Sequence, residues 1–340
     1  MGAIPQCFYH IGCVNMTYSS LKKWRDEKWM EHQDSSQALN EFHDEIMKKV
    51  FHVALQKHIE TFGPVPCRYE WFVMGSGGRF EQAIISDQDH GLIYEEKSDE
   101  TKRYFLSLGK ELADGLNEVG YPYCDGNVMS SNPVWSKSIV EWEEQLSKWL
   151  TEESFESIRF LLIFYDARVL VGEETYCKKL RKLIHDYVKR NPHLLERLLE
   201  NTQHVKKAVG FFHQFITESH GSHAGSIDLK QSGFFPYVNN VRLLAMKESL
   251  EATSTLTRLK ELYSMSKYTE DLKWCREEFE KLLQYRLQYH KKITENYDDI
   301  HYLNIKELSK DERKDMKHIL LNGQKLQNYT QSVIKGMIDT

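Results

Sequence analysis

Two aspartates separated by one residue follow a glycine-serine turn in the first third of the chain. The segment 71–94 reads WFVMGSGGRFEQAIISDQDHGLIY, in which Asp87 and Asp89 open the last apolar run. Alternate residues of a strand point to one face, so these carboxylates are expected to project together, roughly 7 Å apart at Cα. Paired carboxylates suit Mg²⁺, which prefers oxygen ligands and keeps substrate phosphates in its shell. Two such ions can clamp the attacking and leaving oxygens of an in-line displacement.

The turn before the aspartates has the chemistry to bind a polyphosphate. Gly75 allows the backbone to approach a ligand closely, and Ser76 adds a hydroxyl to the free N–H groups. A helix predicted to begin near Gly78 would direct its positive N-terminal end at the same anion. Arg79 can donate to a phosphate or form a salt bridge with a nearby acid, and both remain open. Each motif alone is common, but their order favours a nucleoside triphosphate site.

The elements around this segment predict a small α/β unit. Apolar residues at helical spacing predict helices over 38–60 and 102–119. Short aromatic and β-branched runs predict strands over 68–74 and 89–95. A third strand is predicted over 121–129, although Pro122 and Gly126 interrupt it. The glycine turn and the aspartates therefore lie between two central strands.

From about residue 136 the pattern is helical to the end of the chain. One predicted helical face carries Phe155, Ile158, Leu162, Tyr165 and Val169. Such a run predicts a helical bundle. The chain is thus divided into an N-terminal extension (1–34), an α/β catalytic domain (35–135) and a helical domain (136–340).

Composition narrows the class of protein. Hydrophobic residues at 41% and charged residues at 28% are ordinary globular values. The net charge of -5 disfavours a dedicated nucleic-acid binder. The sequence contains no run of 18 apolar residues, so it predicts no membrane span. The six cysteines form no C-x-x-C pair, which indicates reduced thiols in a cytosolic protein rather than a zinc site or a disulfide framework.

The pattern G-S-x-G-R-x-E-Q-x(4)-D-Q-D-x-x-L-I-Y resembles the signal-transduction nucleotidyltransferases related to the PII-protein uridylyltransferase, within the DNA-polymerase-β-type superfamily. The similarity continues through four later motifs. These are VMSSNPVW (128–135), FYDARVLVGE (164–173), IDLKQSGFFP (227–236) and VRLLA (241–245). The chain departs from the family at Gly77, where Glu is usual, and at His90, where Asn is usual.

The resemblance implies a polymerase-β-like α/β (α+β) nucleotidyltransferase domain followed by an all-α substrate-binding domain. It implies Mg²⁺ or Mn²⁺ on Asp87 and Asp89, and a third carboxylate, for which Asp125 is the nearest candidate by position. Asp125-Gly126 is also an ordinary turn sequence, so that role stays open. Two interpretations of Lys230 remain open. It would bind the triphosphate from the helical domain across a cleft, or it would be an ordinary solvated or ion-paired lysine. The nucleotide-binding set is Gly75, Ser76, Gly78, Arg79 and Lys230.

The resulting hypothesis is a cytosolic enzyme that transfers a nucleoside monophosphate from a triphosphate to a hydroxyl and releases pyrophosphate. The acceptor implied by the resemblance is a protein tyrosine or another regulatory target. Neither the nucleotide nor the acceptor is fixed by the sequence. Two alternatives remain, a non-catalytic nucleotide sensor on the same fold and a helical protein-interaction module. Asp166 and Arg168 are predicted to form a structural ion pair.

Overall fold

The computed structural model describes residues 16–202, 206–290 and 297–336 of the 340-residue chain. Cys7 and Cys13 lie outside these ranges, as do the first 15 residues of the predicted N-terminal extension. Within them, the chain forms a small mixed sheet with helices on both faces, followed by a helical region.

Four strands form the central sheet, in the order β3-β2-β1-β4. They are β1 (Tyr69–Val73), β2 (His90–Tyr94), β3 (Ser136–Ser138) and β4 (Arg168–Val171). The central strand β1 runs antiparallel to β2 and β4, whereas β2 and β3 are parallel. Because successive residues of β1 face opposite sides, Trp71 packs in one core and Phe72 in another.

Helices cover both faces of the sheet. The Trp71 side packs against α1 (Tyr18–Lys28), α2 (Ser36–Phe62) and α4 (Asp99–Val119), while α3 (Gly75–Gly78) is a single turn after β1. The Phe72 side belongs to a core shared with α5 (Ile139–Glu152), α6 (Phe155–Tyr165) and the helices that follow. That core extends without a break to Ile334.

The C-terminal helical region also contains a small second sheet. Its helices are α7 (Thr175–Arg190), α8 (His193–Thr202), α9 (Phe235–Glu248), α10 (Thr255–Ser264), α11 (Thr269–Leu272), α12 (Cys275–His290) and α13 (Lys310–Lys335). Strands β5 (Ser226–Asp228) and β6 (Tyr302–Asn304) pair antiparallel. A π-helical turn at Lys230–Phe234 leads into α9, and a 3-10 turn at Tyr297–His301 leads into β6. The predicted α/β domain followed by a helical domain is confirmed.

Three local predictions are wrong. Residues 121–129 form no strand; a single bridge joins Gln88 to Tyr123, and the positive φ of 53° at Asn127 bends the chain. No helix begins near Gly78, because the helical turn ends there. Val169 lies in β4 and not on a helix.

The predicted boundary at residue 135 falls before two strands of the central sheet. Strands β3 and β4 come from the segment that was predicted to be helical, and each pairs with a strand of the N-terminal part. The division into 1–34, 35–135 and 136–340 stays a prediction. Across the described ranges, no helix combines the length and apolar character that crossing a bilayer requires.

Candidate active site

Gln88 anchors the segment that carries the two aspartates. Its side-chain amide donates two hydrogen bonds of 3.0 Å to backbone carbonyls, and its Oε1 lies 2.9 Å from Nε2 of His90. Gln88 and His90 are buried, whereas Asp87 and Asp89 are half-buried. Because successive residues of an extended segment point to opposite sides, burying Gln88 turns both aspartates toward the same open side.

Gly75 lies directly against the carboxylate of Asp89. Its φ is +54°, and a Cβ added there would lie 2.2 Å from Oδ2 of Asp89. The backbone N–H of Met74 donates to the carbonyl of Asp89 at 2.8 Å, which joins the end of β1 to the start of β2. Both the backbone conformation and the close approach require glycine at this position. The following Ser76 places its Oγ 3.3 Å from Oγ of Ser86.

Asp87, Asp89 and Cys124 form a group whose size fits a divalent cation. One carboxylate oxygen from each aspartate and Sγ of Cys124 all lie within 4.8 Å of one another. Mg²⁺ and Mn²⁺ prefer carboxylate oxygens, whereas a thiol is a softer ligand that suits Zn²⁺ better. The two aspartates are therefore the residues that would hold Mg²⁺ or Mn²⁺.

The electrostatic environment of these carboxylates is one in which a cation would be favourable. Burial and, to a smaller extent, the charge of Asp87 together raise the pKa of Asp89 to about 7. Burial also raises the pKa of Asp87, against the opposing effects of a hydrogen bond from Tyr297 and the charge of Lys230. Each carboxylate is thus disfavoured as a bare anion, and a bound cation would offset that cost.

Asp125 lies close to this group without belonging to it. Its side chain is exposed, and the adjacent Cys124 directs its thiol to Asp89 through a hydrogen bond. The charge of Asp125 still contributes to the raised pKa of Asp87. A role for Asp125 as a third metal-binding carboxylate stays a prediction.

A cavity of about 380 Å³ opens in front of the aspartates. Of the predicted site residues, those that line it are Gly75, Ser76, Arg79, Asp87, Asp89 and Lys230. Gly78 lies behind the wall of the cavity, where an added Cβ would be 2.0 Å from the carbonyl oxygen of Asp166. Gly78 therefore permits tight packing of the turn, and its predicted contact with nucleotide stays a prediction.

Arg79 is engaged in ion pairs at the base of the cavity. Its Nε lies 2.8 Å from Glu81 and its Nη1 lies 2.8 Å from Asp166. Asp166 also binds Arg242 and Arg258, at 2.6 and 2.8 Å. Burial acts to raise the pKa of Asp166, but the three arginines outweigh it and hold that pKa well below its usual range. This cluster ties the glycine turn to α9 and α10.

The predicted ion pair between Asp166 and Arg168 is wrong. Arg168 donates instead to both carboxylate oxygens of Asp44, at 2.7 and 2.8 Å, and to the carbonyl oxygen of Gly77. The two residues separate because Asp166 ends α6 and faces the arginine cluster, whereas Arg168 already lies in β4.

The C-terminal region contributes basic residues to the lining of the cavity. Lys230 Nζ lies 3.4 Å from Nε2 of His301, and the charge of Lys230 acts to lower the pKa of Asp87 and of Asp89. Arg286 on α12 donates to the carbonyl of Glu81 at 2.6 Å, and its guanidinium lies 4.3 Å from the ring centroid of Phe234. Burial lowers the pKa of Arg286 to about 10.

Among the polar residues of this cavity that sequence reasoning missed, three come from the last quarter of the chain, Arg286, Tyr297 and His301. None of them belongs to a motif with recognisable spacing. They reach the cavity only because α12 and the turn before β6 pack beside Lys230. Only the three-dimensional packing identifies them.

Comparison with known proteins gives one short similarity to a curated protein. The "Probable kinetochore protein nuf2" of Emericella nidulans is 29% identical over 83 residues, which cover 24% of this chain and 18% of that protein. The chain therefore spans less than a fifth of the length of that relative. So short a match identifies neither a fold nor an activity for the whole chain.

Two family models match most of the chain, and they meet at the cavity. The first, described as "Putative nucleotidyltransferase DUF294", covers residues 21–156 and includes the glycine turn and both aspartates. The second, described as "Putative nucleotidyltransferase substrate binding domain", covers residues 192–334 and includes Lys230 and Arg286. Together they span more than four-fifths of the sequence. The chain belongs to this nucleotidyltransferase family, with its catalytic-type domain followed by its helical substrate-binding domain.

Proposed function

We propose that this protein transfers a nucleoside monophosphate from a Mg²⁺- or Mn²⁺-bound nucleoside triphosphate to a hydroxyl and releases pyrophosphate. The observation that carries the proposal is the composition of one cavity. Asp87 and Asp89 line it beside the Gly75-Ser76 turn, and Lys230 lines it from the C-terminal region. The cavity volume of about 380 Å³ falls within the range of small-molecule sites, roughly 300–1,000 Å³.

Each wall of the cavity has a distinct part in this reaction. Asp87 and Asp89 would hold the cation, which supplies charge neutralisation for the polyphosphate and for the developing charge on the leaving group. The backbone at Gly75 and the hydroxyl of Ser76 can approach the phosphates closely. Lys230 and Arg286 would add positive charge from the C-terminal region, and their field would favour the leaving pyrophosphate.

The remaining part of the cavity is suited to a nucleobase. It includes Phe155, a large apolar side chain that is 65% exposed. An aromatic ring can stack on any base, because every base has a π-face. The stacking contact with Phe155 alone would not select one base. Both UTP and ATP are therefore candidate donors.

Incubation with α-³²P-labelled nucleoside triphosphates and cell lysate tests the proposal. The expected result is label on a macromolecule with Mg²⁺ or Mn²⁺ and none with EDTA. Asp89→Asn should abolish labelling, because it removes a charged ligand of the cation. The matched control is Asp26→Asn, which removes an exposed carboxylate on α1 and should leave labelling unchanged. Equal labelling by wild type and Asp89→Asn would overturn the proposal.

A non-catalytic sensor is the second candidate, and Cys124 is the observation that favours it. The third group beside the aspartates is a thiol where an active two-metal site would be expected to use a carboxylate. A sensor would bind the triphosphate with its cation and form no product. Calorimetric binding that is lost with EDTA, together with no label on any acceptor and no pyrophosphate, would identify the sensor.

If the wild type transfers nucleotide, Asp125→Asn tests whether Asp125 supplies the third carboxylate. If Asp125 supplies the third carboxylate, the variant should bind nucleotide and lose most transfer. If Asp125 only shapes the turn before Gly126, transfer should survive, since Asn is also tolerated in turns. Cys124→Ser, which keeps a polar side chain of similar size, serves as the comparison at the neighbouring position.

A further inference from the structure

Phe155 and Arg159 present neighbouring side chains of α6 to the cavity. Both residues line it, and they are four positions apart on the same helix. Side chains at this spacing lie on one face of a helix, with about 5–6 Å between their Cβ atoms. Because helical side chains lean toward the N-terminus, Arg159 extends toward the turn that carries Phe155. A base stacked on the ring of Phe155 would therefore have the guanidinium of Arg159 beside its edge.

The guanidinium of Arg159 is available to a ligand. Its side chain is exposed, and within the described ranges neither a hydrogen bond nor an ion pair engages it. Its Nη2 lies 3.0 Å from the position that a Cβ on Gly126 would occupy, so the guanidinium lies against a residue without a side chain. The cavity arginines Arg79 and Arg242, by contrast, are both paired with Asp166. Arg159 can therefore donate to a ligand without breaking an ion pair of the folded chain.

Asn201 adds a hydrogen-bond acceptor that lacks a donor. It lies near the end of α8 and lines the same cavity. Its Oδ1 is enclosed by protein, and no described residue donates a hydrogen bond to it. A buried carbonyl oxygen without a donor is unfavourable, so a ligand that supplies an N–H here would remove that cost. The terminal torsion of asparagine is broad, which allows the amide to turn toward the cavity.

We propose that Arg159 and Asn201 select a nucleotide whose base carries a carbonyl oxygen next to a ring N–H. The inference rests on the proposed nucleotidyl transfer and narrows the identity of its donor. Guanine has this edge at O6 and N1–H, and uracil has it at O4 and N3–H. Arg159 donates to the carbonyl oxygen, and Oδ1 of Asn201 accepts from the ring N–H. Guanine also offers N7 beside O6, the pair of acceptors that arginine commonly binds.

Adenine and cytosine present the reverse edge, an amino group next to a ring nitrogen that only accepts. In the same position, the amino group would face the guanidinium of Arg159, which is a donor against a donor. The ring nitrogen would face Oδ1 of Asn201, which is an acceptor against an acceptor. Both mismatches leave polar groups without partners, and a site built to pair such groups rejects the wrong ligand for that reason.

Calorimetric titration of the full-length chain with Mg²⁺ and α,β-methylene triphosphate analogues, which the transfer reaction cannot cleave, tests the selection. Two ligand pairs isolate the base edge, because inosine differs from adenosine, and uridine from cytidine, only at the carbonyl and the ring N–H. We expect the inosine and uridine analogues to bind about tenfold more tightly than their partners. A preference in the purine pair alone would identify guanine as the base, and one in the pyrimidine pair alone would identify uracil. Equal affinity within both pairs would overturn the inference.

Two variants assign the selection to its residues. Arg159→Met removes the donors and should bring the affinity ratio of each pair close to one, and Asn201→Ala should lower the same ratios. The matched control is Arg103→Met, an exposed arginine of α4 that is not among the residues lining the cavity, and it should keep both ratios. If Arg159 bound phosphate instead, Arg159→Met would weaken all four analogues by the same factor and leave the ratios unchanged. That result would also refute the assignment.

The inference and the proposed function fail in different ways. Cation-dependent binding of all four analogues without a preference in either pair would overturn the base selection and leave the nucleotidyltransferase intact. Labelling of an acceptor from ATP and CTP as efficiently as from GTP and UTP would do the same. Absence of cation-dependent binding of any analogue would overturn both.

Discussion

Replacing Gly75 with alanine should disable the site while the fold survives. The added Cβ would lie 2.2 Å from Oδ2 of Asp89, and ordinary contacts to carbon are roughly 3.5 Å, so the carboxylate must move by about 1 Å. A displacement of about 1 Å at a reacting centre costs on the order of 100-fold in rate. That factor corresponds to about 2.7 kcal/mol of transition-state stabilisation. We therefore expect transfer by Gly75→Ala to fall about 100-fold.

A second glycine separates this steric effect from the cost of the backbone conformation. Gly75 and Gly63 both have positive φ, +54° and +86°, but an added Cβ at Gly63 would meet nothing within 4 Å. The ψ of -175° at Gly63 puts this residue in a region that is essentially restricted to glycine, so alanine there costs roughly 1–3 kcal/mol. Urea unfolding should thus show a destabilisation by Gly63→Ala at least as large as that by Gly75→Ala, while labelling falls only in Gly75→Ala. Normal transfer by Gly75→Ala, or an equal loss in Gly63→Ala, would refute the reasoning.

Three further variants test Lys230, the arginine cluster around Asp166 and the buried His43. Lys230→Ala should weaken triphosphate binding by about tenfold, and monophosphate binding much less, in calorimetry, because a charge-assisted hydrogen bond contributes about 1.5–3 kcal/mol; equal effects on both ligands would contradict this. Asp166→Asn should lower the free energy of unfolding in urea by about 3–5 kcal/mol, since buried arginines lose their counter-charge; a loss below about 1 kcal/mol would contradict it. Burial lowers the pKa of His43 to about 3, whereas the pKa of this group in the unfolded chain is about 6.5. Below pH 6.5 the unfolded chain therefore binds a proton that the folded chain does not, and the free energy of unfolding decreases as the pH is lowered. His43→Gln should remove about 2 kcal/mol of the stability that the wild type loses between pH 6.5 and 5, and an unchanged pH profile would argue against it.

The part of the site that could be predicted from the sequence is the contiguous part. Gly75, Ser76, Asp87 and Asp89 line one cavity because two short strands and a tight turn bring residues together over fewer than 20 positions. Their geometry depends on local rules, which are alternation along a strand and the conformational freedom of glycine. Lys230 also lines the cavity, as the resemblance implied, although it lies far away in the sequence.

The parts that could not be predicted depend on long-range packing. Arg286 and Tyr297 are more than 190 residues from Asp89, and nothing in their sequence context distinguishes them from surface residues. Val169 illustrates a second limit. It follows Tyr165 by four residues, which fits a helix, but α6 ends at Tyr165 and Val169 pairs in the sheet with Phe72. Short apolar runs fit either element, and tertiary pairing decides between them.

Under the proposed function, the two matched regions would contribute opposite charges to the site. Asp87 and Asp89 bring negative charge to a site that would receive a polyanion, and Arg79 is already paired with Glu81 and Asp166. Compensating positive charge comes from Arg159 on α6 and, within the helical substrate-binding region, from Lys230 and Arg286.

The core that contains Phe72 of β1 also contains residues of α9, α12 and α13. The strands beside the aspartates and the helices of the C-terminal region therefore share one packed interior. Since packed interiors transmit displacement, the spacing between the aspartates and Lys230 is set by the fold and not by a flexible linker. In the proposed function, the helical region would thus complete the triphosphate site.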